Sequence, residues 1–219
     1  MHGASLTILL HPVYDLNDLD QLDANMDQLL QDLLVAENGV TVEETYYDRV
    51  ILINSVGTIG HLGPCSKSPS LQEMCSKVDL NITSCFWISV HFARYLKQQQ
   101  QKATIVNISP LVAIADFSTF GIYSAGKAAC EKYHAMLAKE EEVDLQKMLN
   151  YAPGPLETDM VIEIRLAPAL DAGLKPNYQK QLLDPKDSAK KLMRLLLIND
   201  FENGAHIEYY DLPDTEEEC

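Results

Sequence analysis

Basic residues are scarce in this chain. Lys and Arg total 17 against 32 Asp and Glu in 219 residues, a formal net charge of −15. Binding to a phosphate backbone needs clustered Lys and Arg, so a nucleic-acid partner is excluded. Long apolar runs are missing too. Nothing approaches the ~20 apolar residues of a membrane span. The run Leu6–Leu10 is too short for a signal-peptide core and meets His11 and Pro12. The cysteines, Cys65, Cys75, Cys85, Cys130 and Cys219, are odd in number and fit no zinc spacing. His2, His11, His61, His91, His134 and His206 are scattered, so no metal site is expected. No Gly-rich loop able to cradle a pyrophosphate at a helix N-terminus is present; Gly3-Ala4-Ser5 lacks both a preceding strand and a further glycine at the needed spacing. These absences point to a reducing, cytoplasmic setting, with neither membrane nor nucleic acid as partner.

Hydrophobic residues make up 47% of the chain, enough to bury a sizeable core. The length suits a single domain over 1–219, with 212–219 as an acidic tail carrying Asp214, Glu216, Glu217 and Glu218. Leu6–Leu10 reads as a buried strand. Leu19, Leu22, Met26, Leu29, Leu30 and Leu33 recur at helical spacing and predict an amphipathic helix over 17–35. Val50–Asn54 and Ala103–Ile108 are continuous apolar strands of the kind buried on both faces of a parallel sheet. A long helix over 71–97, an Ala-rich helix over 124–142 and a helix over 187–198 capped by Asp187 or Ser188 are predicted, with short strands at 147–150 and 204–209. Strands alternating with helices imply an α/β fold with a parallel sheet.

Tyr123-Ser124-Ala125-Gly126-Lys127 is the strongest chemical signal. Residues four apart on a helix share a face, so the Lys127 ammonium is expected to lower the Tyr123 phenol pKa and ready it to give a proton to a carbonyl oxygen. Taken alone the spacing is weak, and a partly exposed Tyr at a helix start is the bland reading. The context strengthens it. One strand runs into Asn54-Ser55-Val56-Gly57 and another into Asn107-Ile108-Ser109-Pro110; Asn81 lies within the long helix; Asn150-Tyr151-Ala152-Pro153-Gly154-Pro155-Leu156 follows downstream. In open α/β sheets ligands bind beyond the carboxyl ends of the strands.

This order of motifs resembles the short-chain dehydrogenase/reductases. Within them, Tyr-x-Ala-Gly-Lys-Ala-Ala at 123–129, the stretch from Asn150 to Met160, and Gly-Ala-His-x-x-x-Tyr-Asp at 204–211 are similar to the sepiapterin reductase family. The resemblance covers residues from about Leu6 to Asp211. It implies a Rossmann-like three-layer parallel sheet, truncated at the N-terminus so that the first βαβ unit is missing. It also implies NADPH-dependent reduction of pterin side-chain carbonyls, the last step of tetrahydrobiopterin synthesis, by a homodimer. On the matching positions, Tyr123 is the proton donor, Lys127 its partner and a holder of the nicotinamide ribose, and Asn81 a support of the proton relay. Asp15, Leu16, Asn54, Leu156, Glu157, Thr158, Asp159, Met160 and Val161 fall at cofactor positions. Gly154 lies by the substrate, and Glu208 stands where the family has an Asp that anchors the pterin ring.

Three departures bear on activity. Pro110 stands where the family has its catalytic Ser and offers no side-chain donor. Ser109 is adjacent, but neighbouring side chains of an extended strand point to opposite faces. Asn54-Ser55-Val56-Gly57 replaces Asn-Asn-Ala-Gly. The family's opening strand, Gly-rich turn, helix and second strand have no counterpart, so NADPH binding is expected to be weak or absent. The family's strand order, 3-2-1-4-5-6-7, would then leave Val50–Asn54 with an unpaired edge unless Leu6–Leu10 pairs with it. Two readings follow: a sepiapterin-reductase-type oxidoreductase, or a catalytically silent relative or truncated gene product acting through dimerisation.

Overall fold

The computed structural model describes residues 14–34, 47–67, 70–141, 145–180 and 182–214. Leu6–Leu10 lies outside the described residues. Four strands, β1 (Val50–Asn54), β2 (Ala103–Ile108), β3 (Gln146–Ala152) and β4 (His206–Glu208), form one sheet in the order β1-β2-β3-β4. Every pairing is parallel. Among the described residues β1 pairs only with β2, and Ile53 is 45% exposed.

Side chains alternate across β2 and divide the core. Ile105 points toward α1 (Leu19–Leu34) and α3 (Cys85–Gln98), where Leu22, Met26, Leu30, Phe92 and Leu96 are buried with it. Its neighbour Val106 points to the other face, against Leu192, Leu195 and Leu196 of α7 (Pro185–Ile198). The result is a sheet between two helical layers. Burying each such Leu is worth ~1.5–3 kcal/mol.

The helix expected over 71–97 is continuous in path but changes pitch. It comprises α2 (Leu71–Val78), a π-helical segment (Asp79–Ser84) and α3. The Ala-rich helix, α4 (Gly121–Glu140), begins three residues earlier than expected, which places Tyr123 in its first turn. The cap of α7 also corrects the sequence expectation. Asp184, not Asp187 or Ser188, accepts from the Lys186 N–H at 2.8 Å. Pro185 explains the shift, since a proline at the first helical position has no N–H to satisfy. Ser188 is buried inside the helix, where its hydroxyl donates to the Pro153 carbonyl at 2.8 Å. α5 (Asp159–Leu166) and α6 (Lys175–Gln179) lie between β3 and α7.

Candidate active site at the carboxyl ends of the strands

Because β1, β2 and β3 run in parallel, the segments leaving them emerge at one end of the sheet. The same residue type stands near that end of each of the three strands. Asn54, Asn107 and Asn150 are in register across the three strands, and all are buried. Asn107 donates to the Asn150 side-chain oxygen at 2.8 Å, and Asn54 to Ser89 Oγ at 2.9 Å. Ser89 in turn meets His134 Nε2 at 2.8 Å. Burial holds the His134 pKa below its usual value. Sequence reasoning assigned this ladder no role beyond Asn54. The signal was one asparagine near the end of each apolar strand.

Lys127 is 3% exposed. Its ammonium donates to the Val56 carbonyl at 2.7 Å and the Ile108 carbonyl at 3.0 Å, pinning the chain beyond β1 to the last residue of β2. Gly57 lets the lysine pass, since a Cβ there would lie 3.1 Å from Lys127 Cε. Burial lowers the Lys127 pKa. Asn81 sits in the π-helical segment, where it accepts from the Thr58 N–H at 2.8 Å and donates to the Thr58 carbonyl at 3.0 Å. A π turn inside a helix often marks a functional site. Gly126 allows α4 to close on it; an added Cβ would come within 2.9 Å of Asn81 Cβ.

Tyr123 is 7% exposed and packs with Phe120, Ile164 and Leu170 beneath α5 and α6. Its pKa is pushed up to about 12, first by burial and second by Tyr178. This corrects the expectation that Lys127 would lower it. Lys127 directs two of its three donors to backbone carbonyls, and a phenol taken out of water resists ionisation.

The structure brings Tyr123, Lys127 and Asn81 to one end of the sheet, with Gly126 of α4 packed against Asn81. Asp15 and Leu16 lie before α1; Asp15 caps its own turn onto the Asn17 N–H at 2.9 Å, and the Leu16 carbonyl accepts from Ser84 Oγ at 2.5 Å. Asn54 turns inward to α3. Leu156 bridges to Leu183, and Gly154 has φ +78, where a Cβ would meet Leu183 Cδ1 at 2.7 Å. Glu157 is paired with Arg165 through both carboxylate oxygens, which holds its pKa below the usual carboxylate range. Thr158 caps α5 without a side-chain bond, Asp159, Met160 and Val161 form its first turn, and Met160 packs toward Tyr123. Glu208 follows Ile207 at the end of β4 and closes a reciprocal cap with Asp211. Ser109 is fully buried, and its hydroxyl has no partner among the described residues. Pro110 precedes a short 3₁₀ turn, Leu111–Ala113.

Residues 14–169 match the sequence pattern of the short chain dehydrogenase family. A sepiapterin reductase from Rattus norvegicus is 34% identical over 196 residues, covering 87% of this chain and 74% of that protein. One from Bos taurus is 35% identical over 170 residues, covering 74% of this chain and 62% of the relative, so the chain spans under two thirds of its length. Among solved structures, a short-chain dehydrogenase/reductase from Saccharomyces cerevisiae superposes with a TM-score of 0.71 at 24% identity, over 91% of this chain and 76% of that one. A 4-hydroxyisoleucine dehydrogenase complexed with NADH gives 0.66 at 20% identity, over 89% and 76%. The chain belongs to the short-chain dehydrogenase/reductase family and, within it, is a homologue of the sepiapterin reductases.

Proposed function

We propose that this protein is a carbonyl reductase of the sepiapterin-reductase type, acting on a ketone of a pterin side chain with NADPH, in tetrahydrobiopterin synthesis in the cytoplasm. The observation that carries the reading is the placement of Tyr123 and Lys127 on one helix beside the carboxyl ends of β1 and β2, with Lys127 fixed on the Val56 and Ile108 carbonyls.

An ammonium has three N–H groups, and Lys127 uses two on those carbonyls. The third suits a ribose hydroxyl, so the residues fit the nicotinamide end of the cofactor. Bound there, NADPH would supply the hydride. Tyr123, with its pKa pushed up to about 12, stays protonated at neutral pH and holds the proton that a developing alkoxide requires. Asn81 fixes the Thr58 backbone next to Lys127 through both ends of its amide. The pyrophosphate end fits poorly, because these 219 residues contain no Gly-rich turn before a helix.

Calorimetric titration with NADPH, together with a sepiapterin reduction assay, tests this. Weak binding is expected, with slow turnover that Tyr123→Phe abolishes. Low-micromolar NADPH affinity would contradict the weak binding, and turnover untouched by Tyr123→Phe would overturn the reductase. Pro110 favours a second reading, a silent relative working as a homodimer. Phe86 of α3 and Tyr133 of α4 stack at 4.0 Å. Sedimentation showing a dimer, in a chain with no turnover, would select it.

A further inference from the structure

Reducing a carbonyl builds negative charge on its oxygen, and such sites use donors besides the proton source to hold that charge. Pro110 offers none. Two serine hydroxyls between β2 and α4 are committed or sealed. Ser118 donates to Asp171 at 2.7 Å, and Ser109 is fully buried. By strand alternation Ser109 faces the same side as Asn107.

We propose that the phenol of Tyr178 supplies the second hydrogen bond to the substrate carbonyl oxygen, beside Tyr123. Tyr178 lies in α6, and its ring packs on the apolar cluster that holds Tyr123. It stacks on Phe120, three residues before Tyr123, with centroids 6.1 Å apart and planes 25° apart. Its backbone is fixed from α5, where Arg165 Nε donates to the Tyr178 carbonyl while the same guanidinium holds Glu157. Among the described residues the Tyr178 hydroxyl has no hydrogen-bond partner, although burial has already removed part of its water. Tyr178 also raises the Tyr123 pKa, second to burial. No nearby sequence motif points to Tyr178; the fold carries α6 back over the start of α4.

The inference rests on the reductase reading, and the test separates the two. Sepiapterin is the probe, with two readouts: binding without NADPH, followed by its absorbance, and steady-state reduction. Tyr178→Phe keeps the ring and its packing, so the melting temperature should hold. It should lower kcat by ~10²-fold with little change in KM for NADPH and weaken sepiapterin binding by roughly tenfold. Adding Pro110→Ser to Tyr178→Phe should recover most of both, because a hydroxyl returns to the carbonyl. If Tyr123→Phe abolishes turnover while Tyr178→Phe leaves kcat and binding unchanged, the role of Tyr178 is overturned and the reductase stands. If Tyr123→Phe also changes nothing, the reductase reading falls and takes this role with it. Should turnover be too slow to follow, the binding readout decides alone: no weakening in Tyr178→Phe overturns the proposal.

Discussion

The strand ends under Lys127 and the helical cover over Tyr123 meet at one site but are held by different forces. Beneath, Asn54, Asn81, Asn107 and Lys127 are each no more than 3% exposed, and each is hydrogen-bonded to backbone or to another buried side chain. Above, α5 and α6 rest on apolar contacts from Ile164, Leu170 and Tyr178, and their polar ties stand near solvent: in the Arg165–Glu157 pair the side chains are 28% and 47% exposed. Buried polar groups cost far more when left unpaired than exposed pairs contribute when made. The lower part should therefore be rigid and intolerant of change. The cover should move at lower cost.

Lys127→Met should have the largest effect on stability. It leaves the Val56 and Ile108 carbonyls without their donor, at about 1–3 kcal/mol for each. A chemical denaturation midpoint close to that of the unsubstituted chain would show that the lower part is not braced by this residue. Gly126→Ala comes next. Its Cβ would press on Asn81 Cβ from 2.9 Å; such overpacking costs about 1–3 kcal/mol, against ~1 kcal/mol gained in helix propensity. A higher melting temperature would mean that α4 can move away from Asn81. Arg165→Gln probes the cover. It should leave the melting temperature unchanged while proteolytic cleavage between 157 and 182 speeds up, and a lower melting temperature would erase the contrast between the two parts.

The smallest effect concerns pH. His206 meets Glu131 at 3.0 Å, and that hydrogen bond raises the histidine pKa above its ordinary 6.5. A raised folded value means that the folded state binds the proton more tightly. The stabilisation is thus fully present below pH ~6.5 and fades as pH rises through the raised folded value. The melting-temperature gap between the chain and His206→Asn should be widest at pH 5.5 and narrow by pH 8.5. A gap that widens with pH would show that His206 is held neutral.

Much of this was legible because it is local. Val50–Asn54 and Ala103–Ile108 were bounded correctly because each is an apolar run closed by polar residues. The leucine spacing of α1 was read to within two residues at either end. Tyr123 and Lys127 stand on one helix face because a turn of α-helix fixes that spacing in any context. The sheet order β1-β2-β3-β4 agrees with the family order that the motifs implied. The shift of the α7 cap to Asp184 was readable as well, since Pro185 stands in the sequence and its ring fixes the first helical position.

What the sequence determined by itself is which segments form strands and helices, and which residues share a face, since backbone geometry sets these within a few residues. Only the tertiary structure decided where side chains at those positions turn. Lys127 could have faced the Tyr123 phenol, yet it bonds the carbonyls of Val56 and Ile108, which lie 71 and 19 residues away in the chain. Tyr123 lost its water, and its pKa rose, because α5 and α6 close over it. Tyr178 entered the site only when the chain after β3 folded back across Phe120. Each outcome is a contact between distant segments, fixed by packing and desolvation rather than by spacing along the chain.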